Sequence, residues 1–234
     1  MTIAQRLHAI QARVHAACDA AGRDRSSVRL LAASKTRTAE DVLEAMQAGH
    51  GLFGENRGQE MRDKPGAVDG LAEAAGLGPP EWHFIGALQR NKVKYVVGRA
   101  TLVHAVDSLR LGAALSERVE RTGAEALGVL VEVNVGGEAS KAGVTPEAAL
   151  DLCRALDSLP GLAVRGLMTI PPAVAAPEDA APFFARMAQL QADGLSTGLA
   201  LDELSMGMSG DFEVAIQHGA TIVRVGTAIF GPRR

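Results

Sequence analysis

Extended and helical patterns alternate along this chain until eight strand-like runs have been laid down, and no linker interrupts them. Alternation of this kind points to parallel strands joined by crossover helices. The runs are 28–35, 51–54, 82–86, 102–106, 127–135, 164–170, 203–208 and 221–225. Eight such units favour a closed (β/α)8 TIM barrel, formed as a single domain over 1–234, and the early Gly-x-Gly-x-x-Gly of an open dinucleotide fold is absent. An extra N-terminal helix precedes the first strand: Ile3, Leu7, Ile10 and Val14 recur at helical spacing and Gly22 stops it. Thr38 with Asp41 resembles a capping box, and Thr145-Pro146 opens a later helix. The stretch from Pro65 to Pro80, rich in Gly, Ala and Pro, reads mostly as loop, and Gln89 to Val97 reads as a helix.

Hydrophobic residues make up 47% of the 234, enough for one sizeable core. No apolar run approaches the ~18 residues of a transmembrane helix, and Met1 to His8 lacks the layout of a signal peptide. Cys18 and Cys153 both fall in helical patterns without metal-ligand spacing, so they read as small buried hydrophobes. The chain is therefore expected to be cytoplasmic and metal-free. A net charge of -3 gives no general attraction to nucleic acid or to an anionic membrane, so an anionic ligand has to be held by a local site.

In a barrel of this kind chemistry collects at the C-terminal ends of the strands. Lys35, Asn56, His83, Asn134, Met168, Ser209 and Arg224 fall at or just past those ends. Lys35 closes an apolar run, and a lysine there is expected to lose charge through burial and through a nearby cation such as Arg224, which makes it an imine-forming amine. The turns Ser205 to Asp211 and Val225 to Ala228 follow strands seven and eight. Such turns present backbone N–H groups to an anion, with Ser209 and Thr227 adding hydroxyls. Together the amine and the anion cradle suggest a phosphorylated aldehyde bound as an imine. Arg224 is expected on the face opposite Val223 and Val225, toward the mouth. If it meets a pyridine nitrogen, that nitrogen must accept and stay unprotonated, which makes the ring a poor electron sink. Lys141 is a second candidate amine, and His83 and His104 read as core or rim residues.

Six segments in order carry a family resemblance: Ser34-Lys35-Thr36, Phe53-Gly54-Glu55-Asn56, Trp82 to Gly86 with Gln89-x-Asn91-Lys92, Gly166 to Ile170, Ser205 to Ser209 with Asp211, and Arg224 to Gly231. They resemble the pyridoxal phosphate homeostasis protein family from about residue 28 to 231. Arg57-Gly58 departs from the aromatic and small residues that other members often carry there. The resemblance implies a barrel similar to the N-terminal domain of alanine racemase, with pyridoxal 5′-phosphate (PLP) held as a Schiff base on Lys35. It implies phosphate contacts from Ser209, Gly226 and Thr227, Arg224 against the pyridine nitrogen, and Asn56 and Met168 in the site. It further implies a monomer acting in PLP homeostasis and delivery, with PLP-dependent apo-enzymes as transient partners and no robust turnover.

Racemisation needs a second base beyond the lysine. In alanine racemase a tyrosine from a further domain supplies it. The sequence ends at Arg234, and its one tyrosine, Tyr95, is expected on the outer ring. A carrier is therefore favoured. The alternatives are a low-activity PLP-dependent racemase or lyase, and an imine-forming aldolase acting on a sugar phosphate.

Overall fold

In the computed structural model, which describes residues 1–232, eight strands form a closed barrel in sequence order, every neighbouring pair parallel. They are β1 (Arg29–Ala33), β2 (Leu52–Glu55), β3 (Glu81–Phe84), β4 (Leu102–Val106), β5 (Leu127–Glu132), β6 (Leu162–Met168), β7 (Glu203–Ser205) and β8 (Ile222–Val225). Around them run α1 (Ile3–Ala20), α2 (Ala39–Gln47), α3 (Gly58–Ala74), α4 (Leu109–Thr122), α5 (Pro146–Asp157), α6 (Ala181–Ser196), α7 (Phe212–Gln217) and α8 (Thr227–Phe230). Strand pleat divides the apolar residues into two layers. Leu31, Ala33, Leu52, Leu102, Leu130, Met168 and Ile222 fill the barrel interior. Leu30, Ala32, Phe53, Val103, Val129, Val223 and Val225 face the helices.

Two irregularities matter for the interior. The β4–β5 register shifts between Val103 and Val106, so that neighbours His104 and Ala105 both reach inward. The β5–β6 register shifts beside Gly166, whose φ is 154° and whose added Cβ would stand 1.8 Å from the Glu203 carbonyl oxygen. Only glycine lets β7 approach β6 that closely.

Three segments differ from the sequence reading. Pro65 to Pro80 is not mostly loop, because α3 runs through Pro65 to Ala74. Met61, Pro65, Val68 and Ala72 are all buried at helical spacing, so the apolar stripe outweighs the missing N–H of one proline. The helix expected over Gln89 to Val97 is instead a 3-10 segment, Arg90–Tyr95, which buries only Val93 and lacks the stripe that would sustain an α-helix. Strand seven is shorter than expected, because the chain after Ser205 turns away into the loop ahead of α7.

The N-terminal helix α1 is capped by Thr2 and Gln5 in a capping box and buries Ile3, Leu7, Ile10, Val14, Ala17 and Cys18. It packs on α7 and α8, and Arg6 donates to the Ile229 carbonyl at 2.6 Å. Leu7 is fully buried in this contact. Leu7→Ala is expected to lose about 2–5 kcal/mol in denaturant unfolding. Leu109→Ala, at a half-exposed position on α4, is expected to change stability by about 0.5 kcal/mol or less.

Candidate functional site

The C-terminal strand ends open onto a cavity of about 470 Å³. Lys35, Asn56, Ser209, Arg224, Gly226 and Thr227 all line it, so six of the residues picked out in the sequence converge. The remaining ones do not line it. Met168 is fully buried in the barrel interior, on the same face as Leu130 and Ile222. His83 lies lower still, because Ile85 takes the last inward position after β3 and lines the mouth in its place. Asn134 turns into its own loop, donating to the Glu138 carbonyl at 2.8 Å and accepting from its N–H. Lys141 lies in an adjacent groove and is held by Glu138 at 2.6 Å and the Pro171 carbonyl at 2.9 Å.

Lys35 follows β1 as the next inward residue after Leu31 and Ala33, and it is half-buried. The chain has five lysines. Lys64 pairs with Glu55, Lys141 pairs with Glu138, and Lys92 and Lys94 lie over the Tyr95 ring. Among the described residues the Lys35 amine alone has no hydrogen bond, ion pair or aromatic partner. Its backbone, by contrast, is tightly held. Thr36 takes φ 62°, an unfavourable conformation for a β-branched residue, and its N–H donates to Glu60 at 3.1 Å. Ser34 donates from its hydroxyl to Glu55 at 2.6 Å, and Lys64 donates to the Ser34 carbonyl at 2.9 Å.

Under this turn sits a carboxyl pair. Glu55 is fully buried, and Glu55 Oε2 and Glu60 Oε2 are both buried without a partner among the described residues. Burial, then the neighbouring Glu60 carboxyl, push Glu55 up to about 7, against the opposing pull of Lys64 and Ser34. Two carboxylates cannot satisfy each other, but a proton held on Glu55 gives the pair a donor.

Arg224 follows Ile222 on the inward face of β8 and is 6% exposed. It donates through Nη1 to Ser205 Oγ and through Nη2 to the Thr169 carbonyl at 2.8 Å. Burial lowers it to about 10, partly offset by Asp211 and Glu132, so it remains a cation at neutral pH. Across the mouth, the backbone N–H groups of Ser209, Gly210, Gly226 and Thr227 have no protein acceptor among the described residues. The side-chain oxygen of Asn56 is likewise buried and unpaired. A Cβ at Gly86 would stand 2.3 Å from the Asn56 carbonyl oxygen, so glycine there is what lets Asn56 seat at the rim. The mouth thus offers a free amine, a buried cation and a set of unpaired N–H donors to one ligand.

The sequence reading overlooked Glu132. It lines the cavity on the inward face of β5, and its carboxyl is raised by burial first and then by Asp107. The alternation Gly128, Leu130, Glu132 would have pointed to it. Ile170 and Met208, both partly exposed, form an apolar lip.

The eight parallel strands and their helices form a single (β/α)8 barrel, and residues 5–234 match the family "Alanine racemase, N-terminal domain". The chain belongs to the pyridoxal phosphate homeostasis protein family. It is 44% identical over 236 residues to the pyridoxal phosphate homeostasis protein of Aquifex aeolicus, covering 100% of each. To that of Pseudomonas aeruginosa it is 46% identical over 232 residues, 99% of this chain and 96% of the relative. Among solved structures, PipY of Synechococcus elongatus with PLP bound superposes with a TM-score of 0.77 at 32% identity, over 98% of this chain and 100% of PipY.

The carboxyl pair carries a pH signature. A buried carboxyl whose proton affinity is raised on folding contributes stability at low pH and loses it as pH rises toward about 7. Thermal melts of the unmodified chain should therefore fall between pH 5 and pH 8, both roughly bracketing that titration. Glu60→Gln supplies a permanent N–H to Glu55 and keeps an acceptor for Thr36, so its melting temperature should exceed that of the unmodified chain at the upper pH. Equal slopes for the two proteins would mean that Glu55 holds no proton against residue 60.

Proposed function

We propose that this chain binds pyridoxal 5′-phosphate at the barrel mouth as a Schiff base on Lys35, and that it holds and delivers the cofactor within the cell without robust turnover. The observation that carries this reading is the free Lys35 amine, the one lysine without a partner among the described residues, in the same cavity as unpaired backbone N–H donors. A lysine without an ion pair or hydrogen bond is free to meet a carbonyl, and unpaired amides suit a phosphate. The residues fit the group: the cavity has the size and mixed lining of a small-ligand site, and Asn56 brings an unmatched polar atom to it. Lys35 would hold the aldehyde carbon, Ser209, Gly226 and Thr227 the phosphate, and Arg224 the ring nitrogen. Bound there, PLP supplies an electrophilic carbon and an electron-withdrawing ring.

The residues around it favour storage over catalysis. Arg224 is buried, cationic and only a donor, so a ring nitrogen facing it must stay unprotonated, which weakens the ring as an electron sink. The single tyrosine, Tyr95, lies outside the cavity beneath Arg62, Lys92 and Lys94, so it does not offer a second base. The names of the relatives support the same role in homeostasis. We place the chain in the cytoplasm as a monomer that meets apo-enzymes transiently; its two cysteines are free and buried, and no helix among the described residues is long and apolar enough to cross a membrane.

A second reading, a low-activity PLP-dependent racemase or lyase, rests on Glu132. Its carboxyl lines the same cavity as Lys35 and has a raised proton affinity, as a second acid–base group needs. Incubation with L-alanine and other amino acids separates the two readings: robust turnover lost in Glu132→Gln supports the enzyme, and none supports the carrier.

The test of the site is optical. Addition of PLP should give an imine-type visible band that Lys35→Ala abolishes, and borohydride reduction followed by mass spectrometry should find the label on Lys35. Label on another lysine would overturn the assignment. Arg224→Ala should weaken PLP by roughly tenfold or more, as expected for loss of a charged hydrogen bond, and should shift the band.

A further inference from the structure

A file of hydrogen-bonded side chains crosses the barrel interior from its N-terminal end to Arg224. Glu81 Oε1 lies 2.8 Å from His83 Nε2, His83 Nδ1 lies 2.9 Å from His104 Nε2, and His104 Nδ1 lies 2.9 Å from Ser205 Oγ. Ser205 Oγ in turn meets Arg224 Nη1. The members come from β3, β4, β7 and β8, and His83, His104 and Ser205 are fully buried. Each would be costly in an apolar core unless every polar atom had its partner.

The two ends fix the direction of the file. A guanidinium only donates and a carboxylate only accepts. Ser205 Oγ therefore accepts from Arg224, and, because Glu81 at the far end only accepts, with both rings neutral the Ser205 proton goes to His104 Nδ1. His104 then carries its own proton on Nε2 and donates to His83 Nδ1. His83 likewise donates from Nε2 to Glu81. Thr101 at 3.0 Å and Arg29 at 3.5 Å also donate to that Glu81 oxygen, which anchors the carboxylate end. In the opposite order a neutral His83 would turn the lone pair of Nε2 against the Glu81 carboxylate. Burial lowers the proton affinity of both imidazoles, in keeping with two neutral rings.

We propose that Glu81, His83, His104 and Ser205 are positioning residues whose one-directional file of protons locks Arg224 in a single orientation at the inner end of the cavity. Without the file, Ser205 is free to rotate its proton, and Arg224 keeps only the Thr169 carbonyl as a fixed acceptor. The part of this inference that concerns the ligand rests on the PLP reading above. The tautomers rest on the chain alone.

The first experiment uses the ligand-free protein. Long-range proton–nitrogen NMR of the imidazoles should show His83 and His104 both neutral with the proton on Nε2. A proton on His104 Nδ1, or a charged ring at neutral pH, would falsify the file. The second follows PLP by absorbance. His104→Phe and Ser205→Ala should each weaken PLP roughly tenfold, the worth of one well-made hydrogen bond, and move the band in the same direction. His104→Asn retains an acceptor where Nδ1 stood and should restore both. The double variant should be no worse than either single one, because the residues act in series. Wild-type affinity and band in Ser205→Ala would overturn the positioning role, and that variant decides the point even if His104→Phe fails to fold. Should the unmodified protein give no imine band, the PLP reading falls while the tautomer measurement still decides the file.

Discussion

Closing eight parallel strands into a barrel leaves one inward position at the C-terminal end of each, and the site is made of what occupies those positions. The pleat turns Lys35 inward after Leu31 and Ala33, Asn56 after Leu52 and Gly54, and Arg224 after Ile222. Apolar neighbours on the other face are held by the helices, so these side chains have little freedom to turn elsewhere. Rigid placement of this kind is what a site on strand ends offers over one built on loops.

Two polar constructions maintain this geometry from below. One is the Glu55–Lys64–Ser34 cluster with Glu60, which pins the turn carrying Lys35 but leaves its amine unengaged. The other is the file ending at Arg224, which satisfies a buried cation through neutral groups instead of a carboxylate partner. The difference has a chemical consequence. A carboxylate against Arg224 would neutralise it, whereas neutral acceptors leave its charge to act on whatever enters the cavity.

The eight-fold alternation, the N-terminal helix and the mouth residues Lys35, Asn56, Ser209, Arg224, Gly226 and Thr227 were legible in the chain, because strand ends and turns leave local patterns. Met168, His83 and Asn134 also fall at or near strand ends, as the chain suggested, and His83 is the core residue it was read as, but none of the three lines the cavity. Being near the end of a strand does not say which way a side chain points or how far down the barrel it sits, and those depend on strand stagger and on the bulges beside His104 and Gly166. Composition misled at Pro65, where burial against the barrel overrode a local breaker signal.

By itself the amino-acid order determined the class of fold, the lysine that meets the mouth and the family the chain belongs to, since all three are written in short segments and their spacing. Only the tertiary structure decided that Lys35 is the unpartnered amine among the described residues, that Glu132 shares its cavity, and that Glu81, His83, His104 and Ser205 form one line. The reason is physical. Hydrogen bonds between β3, β4, β7 and β8 join residues up to 101 positions apart, and nothing local in the chain encodes a partner that barrel closure alone brings within reach.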